Sequence, residues 1–286
     1  MKVVVVYNPA SGSGYTLRKI KELFRQQNIS VDYSFTIKQL SSQKLTSLIK
    51  RGVTVAVVGG DGSLNSVARL LVGSKSVLFP LPGGTFNHFI RDLGMPPTVE
   101  ESINAFDTAR VISVDVAYVN DELFLNNSNL GLYPFSLIER KTTKKFLGKY
   151  TAAALSIFDQ LSLFRRHIIV IDGEKIKSPF VFVGNNNYDI QQSLIPRRTS
   201  IDGGILTVMI ASSASRRALI RAIFSVLKGS VAHLEDFSMS RRKELTIYSS
   251  RATIPVSYDG EVKRLASPLT YRINQKCLKV LIAKAS

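Results

Sequence analysis

Three glycine-rich stretches hold the residues of this chain best suited to chemistry: "NPASGSG" at 8–14, "GGDGS" at 59–63 and "LPGGTFN" at 81–87. Each follows an apolar, strand-like run and leads toward a helical pattern. Backbone N–H groups at a helix start, left bare by glycine, bind phosphate well. Asp61 in the second stretch would repel a phosphate unless a cation lay between them, which points to Mg2+. One glycine-rich turn is by itself only a turn. Three turns following strands of one parallel sheet share a rim, and that rim is where such sheets bind ligands. Neither the Walker pattern nor G-x-G-x-x-G occurs at these loops. Two Asp-Gly-Glu triplets, at 172–174 and 259–261, add further carboxylates.

The elements that must carry these residues follow from hydrophobic period. In the first part of the chain apolar runs ("KVVVVYN", "VDYSFTI", "VTVAVV", "SVLFPLP") alternate with amphipathic helical patterns. Leu17, Ile20 and Phe24 fall on one face of the first helix. Leu64, Val67, Ala68, Leu71 and Val72 follow the i, i+3, i+4, i+7, i+8 spacing of another. Thr98 and Glu101 form a capping box for "VEESINAFDTA". Such alternation predicts right-handed crossovers and a parallel sheet. From about residue 115 the pattern becomes one of strands joined by short turns, as in an antiparallel sandwich. It is interrupted by helical patterns near 151–164 and 215–228. The predicted architecture is an α/β domain over 1–114 and a mainly antiparallel β-sandwich domain over 115–286.

The three loops, together with "FLNNSNLGLYP", "FVFVGNNNYD", "RRTSIDGGILTV" and "VSYDGE" in that order, resemble the diacylglycerol kinase catalytic family. That family includes soluble bacterial lipid kinases and is related to sphingosine kinases and NAD kinases. The resemblance covers nearly the whole chain and implies an ATP- and Mg2+-dependent lipid kinase with its active site in a cleft between the domains. It implies that Asn8, Ser11, Gly59, Gly60, Gly62, Ser63, Gly84, Thr85 and Asn87 line the nucleotide site. It also implies that Asp61 holds Mg2+ through water, that Asp259 is the general base and that Glu261 is a neighbouring nucleotide- or metal-side group. Ser63 stands where threonine is commoner, keeping the hydroxyl. His88 stands where many members carry aspartate.

Simpler readings stand beside these. Asp-Gly between strands is first of all a hairpin turn; for Asp172 the turn is preferred, and for Asp259 its place in the family order favours catalysis. Asp202 matches a stretch where some relatives hold a structural metal, and equally a turn beside Gly203 and Gly204. His88, His167 and His233 lack metal-ligand spacing. Asn185, Asn186 and Asn187 read first as loop formers. Arg197 and Arg198, like Arg241, Arg242 and Lys243, read first as solvated charge. Arg217, Arg221 and Lys228 form a basic stripe beside Leu219, Ile220, Ile223 and Leu227, a core-packed helix with a wet face or one touching anionic lipid.

Lys and Arg total 38 against 21 Asp and Glu, a net charge of +17, with +6 up to residue 114 and +11 beyond it. Such a field favours an anionic partner. Cys277 alone excludes an internal disulfide framework and fits a reducing compartment. "MKVVVV" is too short for a signal peptide, and no run reaches the length of a membrane span. The expected setting is cytoplasmic, peripheral at the inner membrane surface, with a hydroxyl-bearing lipid as acceptor and no specific nucleic acid. Self-association is left open. Two rival functions remain: a soluble-substrate kinase of the NAD kinase type, and a non-catalytic nucleotide- or anion-binding module. An Asp61→Asn exchange is expected to remove the metal-holding charge while leaving the fold intact.

Overall fold

Valine-rich runs at 3–6 and 55–58, too apolar to face water on either side, settle the first sheet. The computed structural model describes residues 2–11, 14–131, 167–171, 173–178, 180–189, 197–211 and 237–283. By contacts the chain divides into one unit of Met1–Val116, Ile201–Gly204 and Asn274–Ser286, and a second of Ala117–Ser200 and Ile205–Ile273. Where a single cut at 114 was expected, the last segment of the chain belongs with the first. No helix among the described residues is long and apolar enough to cross a membrane. The helical patterns at 151–164 and 215–228, the basic stripe included, lie outside the described residues, as does Asp172.

The first unit opens with β1 (Lys2–Tyr7), α1 (Leu17–Gln26), β2 (Ser30–Thr36), α2 (Gln43–Arg51), β3 (Thr54–Gly59), α3 (Asp61–Leu71) and β4 (Val77–Pro82). α4 (His88–Asp92) and α5 (Val99–Asn104) follow. The Thr16 hydroxyl accepts the Lys19 N–H at 3.3 Å and starts α1, while Gly52 at φ +81° ends α2. Thr98 likewise accepts the Glu101 N–H at 3.2 Å, the expected first half of the capping box. Strand order is β2-β1-β3-β4, all parallel. Residues 274–282 add a further parallel strand, with Val280 opposite Leu78. Helices cover the sheet with Ile20, Leu23 and Phe24 of α1, Leu45, Leu48 and Ile49 of α2, and Leu64, Val67 and Leu71 of α3, all buried. Each fully buried aliphatic side chain contributes about 1.5–3 kcal/mol. The chain passes from β1 outward to β2 and crosses back to β3 on the other side. The order therefore reverses between β1 and β3, the point where open α/β sheets bind ligands.

Asp115 stitches this unit together and has no counterpart in the sequence reading. It is 1% exposed, on β5 (Arg110–Val119). Its carboxylate accepts the Gly204 and Lys276 N–H groups, each at 2.7 Å, and its own N–H donates to Ile201 O at 3.0 Å. A buried carboxylate must be fully hydrogen-bonded, and here the bonds fasten the two returning segments.

The second unit is antiparallel. Its strands are the end of β5, β6 (Glu122–Phe124), β7 (Asn127–Gly131), β8 (His167–Ile171), β9 (Glu174–Ser178), β10 (Phe180–Asn185), β11 (Tyr188–Asp189) and β12 (Arg197–Arg198). β13 (Leu206–Ala211), β14 (Phe237–Arg242), β15 (Glu244–Ser249), β16 (Thr253–Tyr258), β17 (Glu261–Ala266) and β18 (Leu269–Ile282) complete it, β18 running on into the first unit. One sheet has the order β14-β13-β10-β7-β16-β17. The opposing layer pairs β9, β8, β15 and β18, with β5 beside β18 and β6 beside β5. Val183, Val208 and Val256 from the first face meet Ile247, Leu269 and Tyr271 from the second in one core. Burial pushes the Tyr271 phenol well above its ordinary range, although its hydroxyl lies 3.2 Å from Ser128 Oγ.

Candidate active site

β1, β3 and β4 are neighbours, so the loops after them stand side by side at the reversal point. Asn8 opens the first. Its N–H extends the β3 pairing to Val58 O at 3.1 Å, its Oδ1 closes a turn on the Ala10 N–H at 3.0 Å, and its Nδ2 lies 3.4 Å from Ser63 Oγ. Ser11 follows, half-buried, its N–H on Asn8 O at 3.0 Å. Tyr15 donates its hydroxyl to Glu100 on α5 and so tethers the loop's far end. Burial and that carboxylate raise the Tyr15 pKa to about 12.

The second and third loops interlock through absent side chains. A Cβ on Gly84 would stand 2.5 Å from Gly60 Cα, and one on Gly59 2.6 Å from Ser63 Cβ. Both distances are shorter than carbon atoms tolerate, so glycine at 84 lets backbone meet backbone between the loops, and glycine at 59 leaves room for the Ser63 side chain. Gly60 is the N-cap of α3, and the N–H groups of Asp61 and Gly62 have no acceptor within the helix. Asn87, at φ +49°, closes the third loop on itself: its Oδ1 accepts the Gly84 N–H at 2.9 Å and its Nδ2 donates to Gly84 O at 3.0 Å. Thr85 stands exposed at the loop's tip.

Asp61 has a structural partner that sequence reasoning missed. Its Oδ2 accepts the His88 N–H at 3.2 Å and its Oδ1 the Phe89 N–H at 3.1 Å. The carboxylate thus caps the first turn of α4 and locks the second loop to the third. These bonds give Asp61 a structural role beside the metal-holding one expected of it. An ionised carboxylate offers about four lone-pair positions, so about two remain. Among the described residues no group of three or more His, Cys, Asp or Glu could hold a metal. One half-buried carboxylate with spare lone pairs, beside backbone N–H groups that have no helical acceptor, has the chemistry to hold a hydrated Mg2+ through water. The His88 ring turns away from Asp61: Nδ1 lies 2.8 Å from Arg91 Nη2, and the ring stacks on Phe86 at 5.7 Å. Asp202 is exposed in the bend at 201–204, and the carboxylate that organises that bend is Asp115.

In the second unit Asp259 and Gly260 join β16 to β17 with Tyr258 opposite Glu261. Their φ angles of +44° and +86° make a two-residue turn of the type Asp-Gly favours. The turn reading of this triplet therefore holds alongside any catalytic one. The carboxylate points back at the segment between β6 and β7. Oδ2 accepts the Leu125 N–H at 2.7 Å, and Oδ1 accepts those of Asn126 and Asn127 at 2.8 and 3.3 Å. Glu261 is exposed at the start of β17. Arg198, expected as solvated charge, instead donates to Leu125 O at 2.6 Å. Asn185, expected as a loop former, is fully buried with Nδ2 on the same oxygen at 2.9 Å.

Residues 2–119 match the model described as "Diacylglycerol kinase catalytic domain", and residues 137–282 match "YegS C-terminal NAD kinase beta sandwich-like domain". The chain belongs to the diacylglycerol kinase catalytic family. The family's two-part arrangement agrees with the α/β unit and the antiparallel unit. Among curated relatives, "Probable lipid kinase YegS" of Salmonella typhimurium is 28% identical over 134 residues, 45% of each chain. "Probable lipid kinase YegS-like" of Klebsiella pneumoniae is 30% identical over 133 residues, again 45% of each. The matched stretch thus spans less than half the length of those relatives. A diacylglycerol kinase structure from Bacillus anthracis str. Sterne has the same fold, with a TM-score of 0.70 at 20% identity over 98% of this chain and 96% of that one.

Proposed function

We propose that this chain transfers the γ-phosphoryl group of ATP to the hydroxyl of a lipid, diacylglycerol being the first candidate acceptor. The observation that carries the reading is the meeting of three glycine-rich loops at the strand-order reversal, with Asp61 among them, in a chain of this family. Asn8, Ser11, Gly59, Gly60, Gly62 and Ser63 would approach the nucleotide together with Gly84, Thr85 and Asn87. The N–H groups of Asp61 and Gly62 face away from any helical acceptor and suit phosphate oxygens. Mg2+, held through water by Asp61, would neutralise charge on the transferring group.

Asp259 serves as general base. Its Oδ2, which accepts the Leu125 N–H at 2.7 Å, is the oxygen we assign to take the proton of the lipid hydroxyl. As that proton reaches Oδ2, the hydroxyl oxygen bonds to the γ-phosphorus. The bond from phosphorus to the β–γ bridging oxygen breaks, and ADP leaves. The backbone donors from Leu125, Asn126 and Asn127 fix the carboxylate's orientation while the turn presents it. Net charge +17 supports docking on an anionic membrane surface, where the acceptor resides.

A second acceptor class is kept because the matched C-terminal model is described as NAD kinase-like. One experiment decides between them. The purified chain is incubated with labelled ATP and Mg2+, and with diacylglycerol, other hydroxyl lipids, nicotinamide dinucleotides or no acceptor, and the products are separated. A labelled phospholipid is the expected product. Label on a dinucleotide alone would replace the acceptor, and label on nothing would overturn the kinase reading.

A further inference from the structure

The 125–127 segment is held from both sides, and only one side bears on Asp259 directly. The Leu125 carbonyl takes Arg198 Nη1 at 2.6 Å and Asn185 Nδ2 at 2.9 Å. That carbonyl belongs to the peptide whose N–H, on Asn126, meets Asp259 Oδ1 at 2.8 Å. The next peptide repeats the pattern. The Asn126 carbonyl takes the Tyr188 hydroxyl at 2.8 Å and the Asn185 N–H at 2.9 Å, and the Asn127 N–H points to Asp259. Asn185 and Tyr188 are 0% and 5% exposed.

A peptide unit is planar, with C=O and N–H pointing opposite ways. Holding the oxygen therefore fixes the direction of the N–H. A cation at the oxygen end and an anion at the hydrogen end polarise the same peptide in the same sense, so each bond strengthens the other. Guanidinium bonds are among the strong ones, and this one ends one peptide away from the carboxylate proposed to take the proton.

We propose that Arg198 is a positioning residue for Asp259, acting through the Leu125–Asn126 peptide. The inference rests on Asp259 being the proton acceptor of the proposed reaction. With Arg198 gone, the Asn126 N–H keeps a weaker hold on Oδ1 and the carboxylate samples unproductive directions. Nucleotide binding, assigned to the first unit, is left alone.

The test uses the full chain with Arg198→Met, Arg198→Gln and Arg198→Lys, and Asp259→Asn alone and combined with Arg198→Met. Arg264→Met, which removes an exposed arginine of β17 bonded to Thr253, is the control. Rates are taken with ATP and the lipid of the panel that the wild-type chain phosphorylates. Arg198→Met should lower kcat about 10- to 100-fold with KM for ATP unchanged. Arg198→Lys should recover part of the loss, and Arg264→Met should match wild type. On the Asp259→Asn background Arg198→Met should lower the residual rate no further. Should Arg198→Met fail to fold, Arg198→Gln carries the same comparison. A full wild-type kcat in the neutral variant overturns the proposal, and so does an equal loss on both backgrounds. A substrate-free readout separates this from failure of the kinase reading. In protein labelled with 15N-asparagine, the Asn126 amide proton should move upfield in the neutral variant and stay in place in Arg264→Met. An unmoved Asn126 signal overturns the link, whatever the chain phosphorylates.

Discussion

Asp61→Asn should destabilise the protein in the complete absence of nucleotide and metal. The carboxylate accepts two N–H groups from the first turn of α4, at 3.1 and 3.2 Å. Asparagine keeps one acceptor and sets an NH2 against the other N–H. One charge-assisted hydrogen bond is lost, about 1.5–3 kcal/mol. Loss of negative charge at a helix start adds about 0.3–1 kcal/mol. The expected cost is therefore about 2–4 kcal/mol, a large share of the roughly 5–15 kcal/mol by which domains are stable. For a chain of this size that lowers Tm by about 3–7 °C. Thermal and urea unfolding are followed with EDTA present, so that no ion contributes. Phosphoryl transfer by the folded variant is then measured across a Mg2+ titration and should stay near zero. A Tm within about 1 °C of wild type would refute the capping argument, whatever happens to activity. A normal Tm with lost turnover would leave only the metal role, and the reverse would leave only the cap.

Asp259→Asn should lose turnover by about 100-fold or more while retaining ATP affinity, whereas Asp172→Asn should stay active; initial rates and nucleotide binding for both variants decide, and an active Asp259→Asn removes the general base. Sedimentation with vesicles should require anionic lipid and weaken with salt as the Debye length falls from about 10 Å at 0.1 M to about 3 Å at 1 M; equal binding to neutral vesicles would count against membrane docking. Tyr15, with its pKa raised to about 12, stays protonated in the folded chain after it would ionise in the unfolded one. Its contribution is thus fully present below pH about 10 and lost as pH rises toward about 12, so wild type should lose more stability than Tyr15→Phe across that window in alkaline unfolding curves.

The alternation of apolar runs and helical faces makes the parallel sheet legible in the sequence, because period 2 and period 3.6 are local signals. The three loops were legible for the same reason: glycine after a strand is visible in sequence. What each loop residue does was not. Asn87 bonds within its own loop, Gly83 and Gly84 make room for the backbone of Gly59 and Gly60, and Asp61 reaches residues 88 and 89. Such pairings form only when β3 and β4 lie side by side. Asp115 gave no sequence signal, and Arg198 read only as solvated charge. One holds segments around 204 and 276, the other a carbonyl at 125, and separations of that size leave no periodicity to read.

The strand at 274–282 has a consequence for biosynthesis. Until it arrives, β4 has β3 on one side and an open edge on the other. Synthesis proceeds at roughly 5–20 residues per second, so the interval between the emergence of β4 and of its last neighbour is roughly 10–40 s. Throughout that time the nascent chain displays "VLFPLP" as an apolar strand with one edge unpaired. Pro80 and Pro82 remove two N–H donors from it, making it a poor template for pairing with another chain on the same polysome.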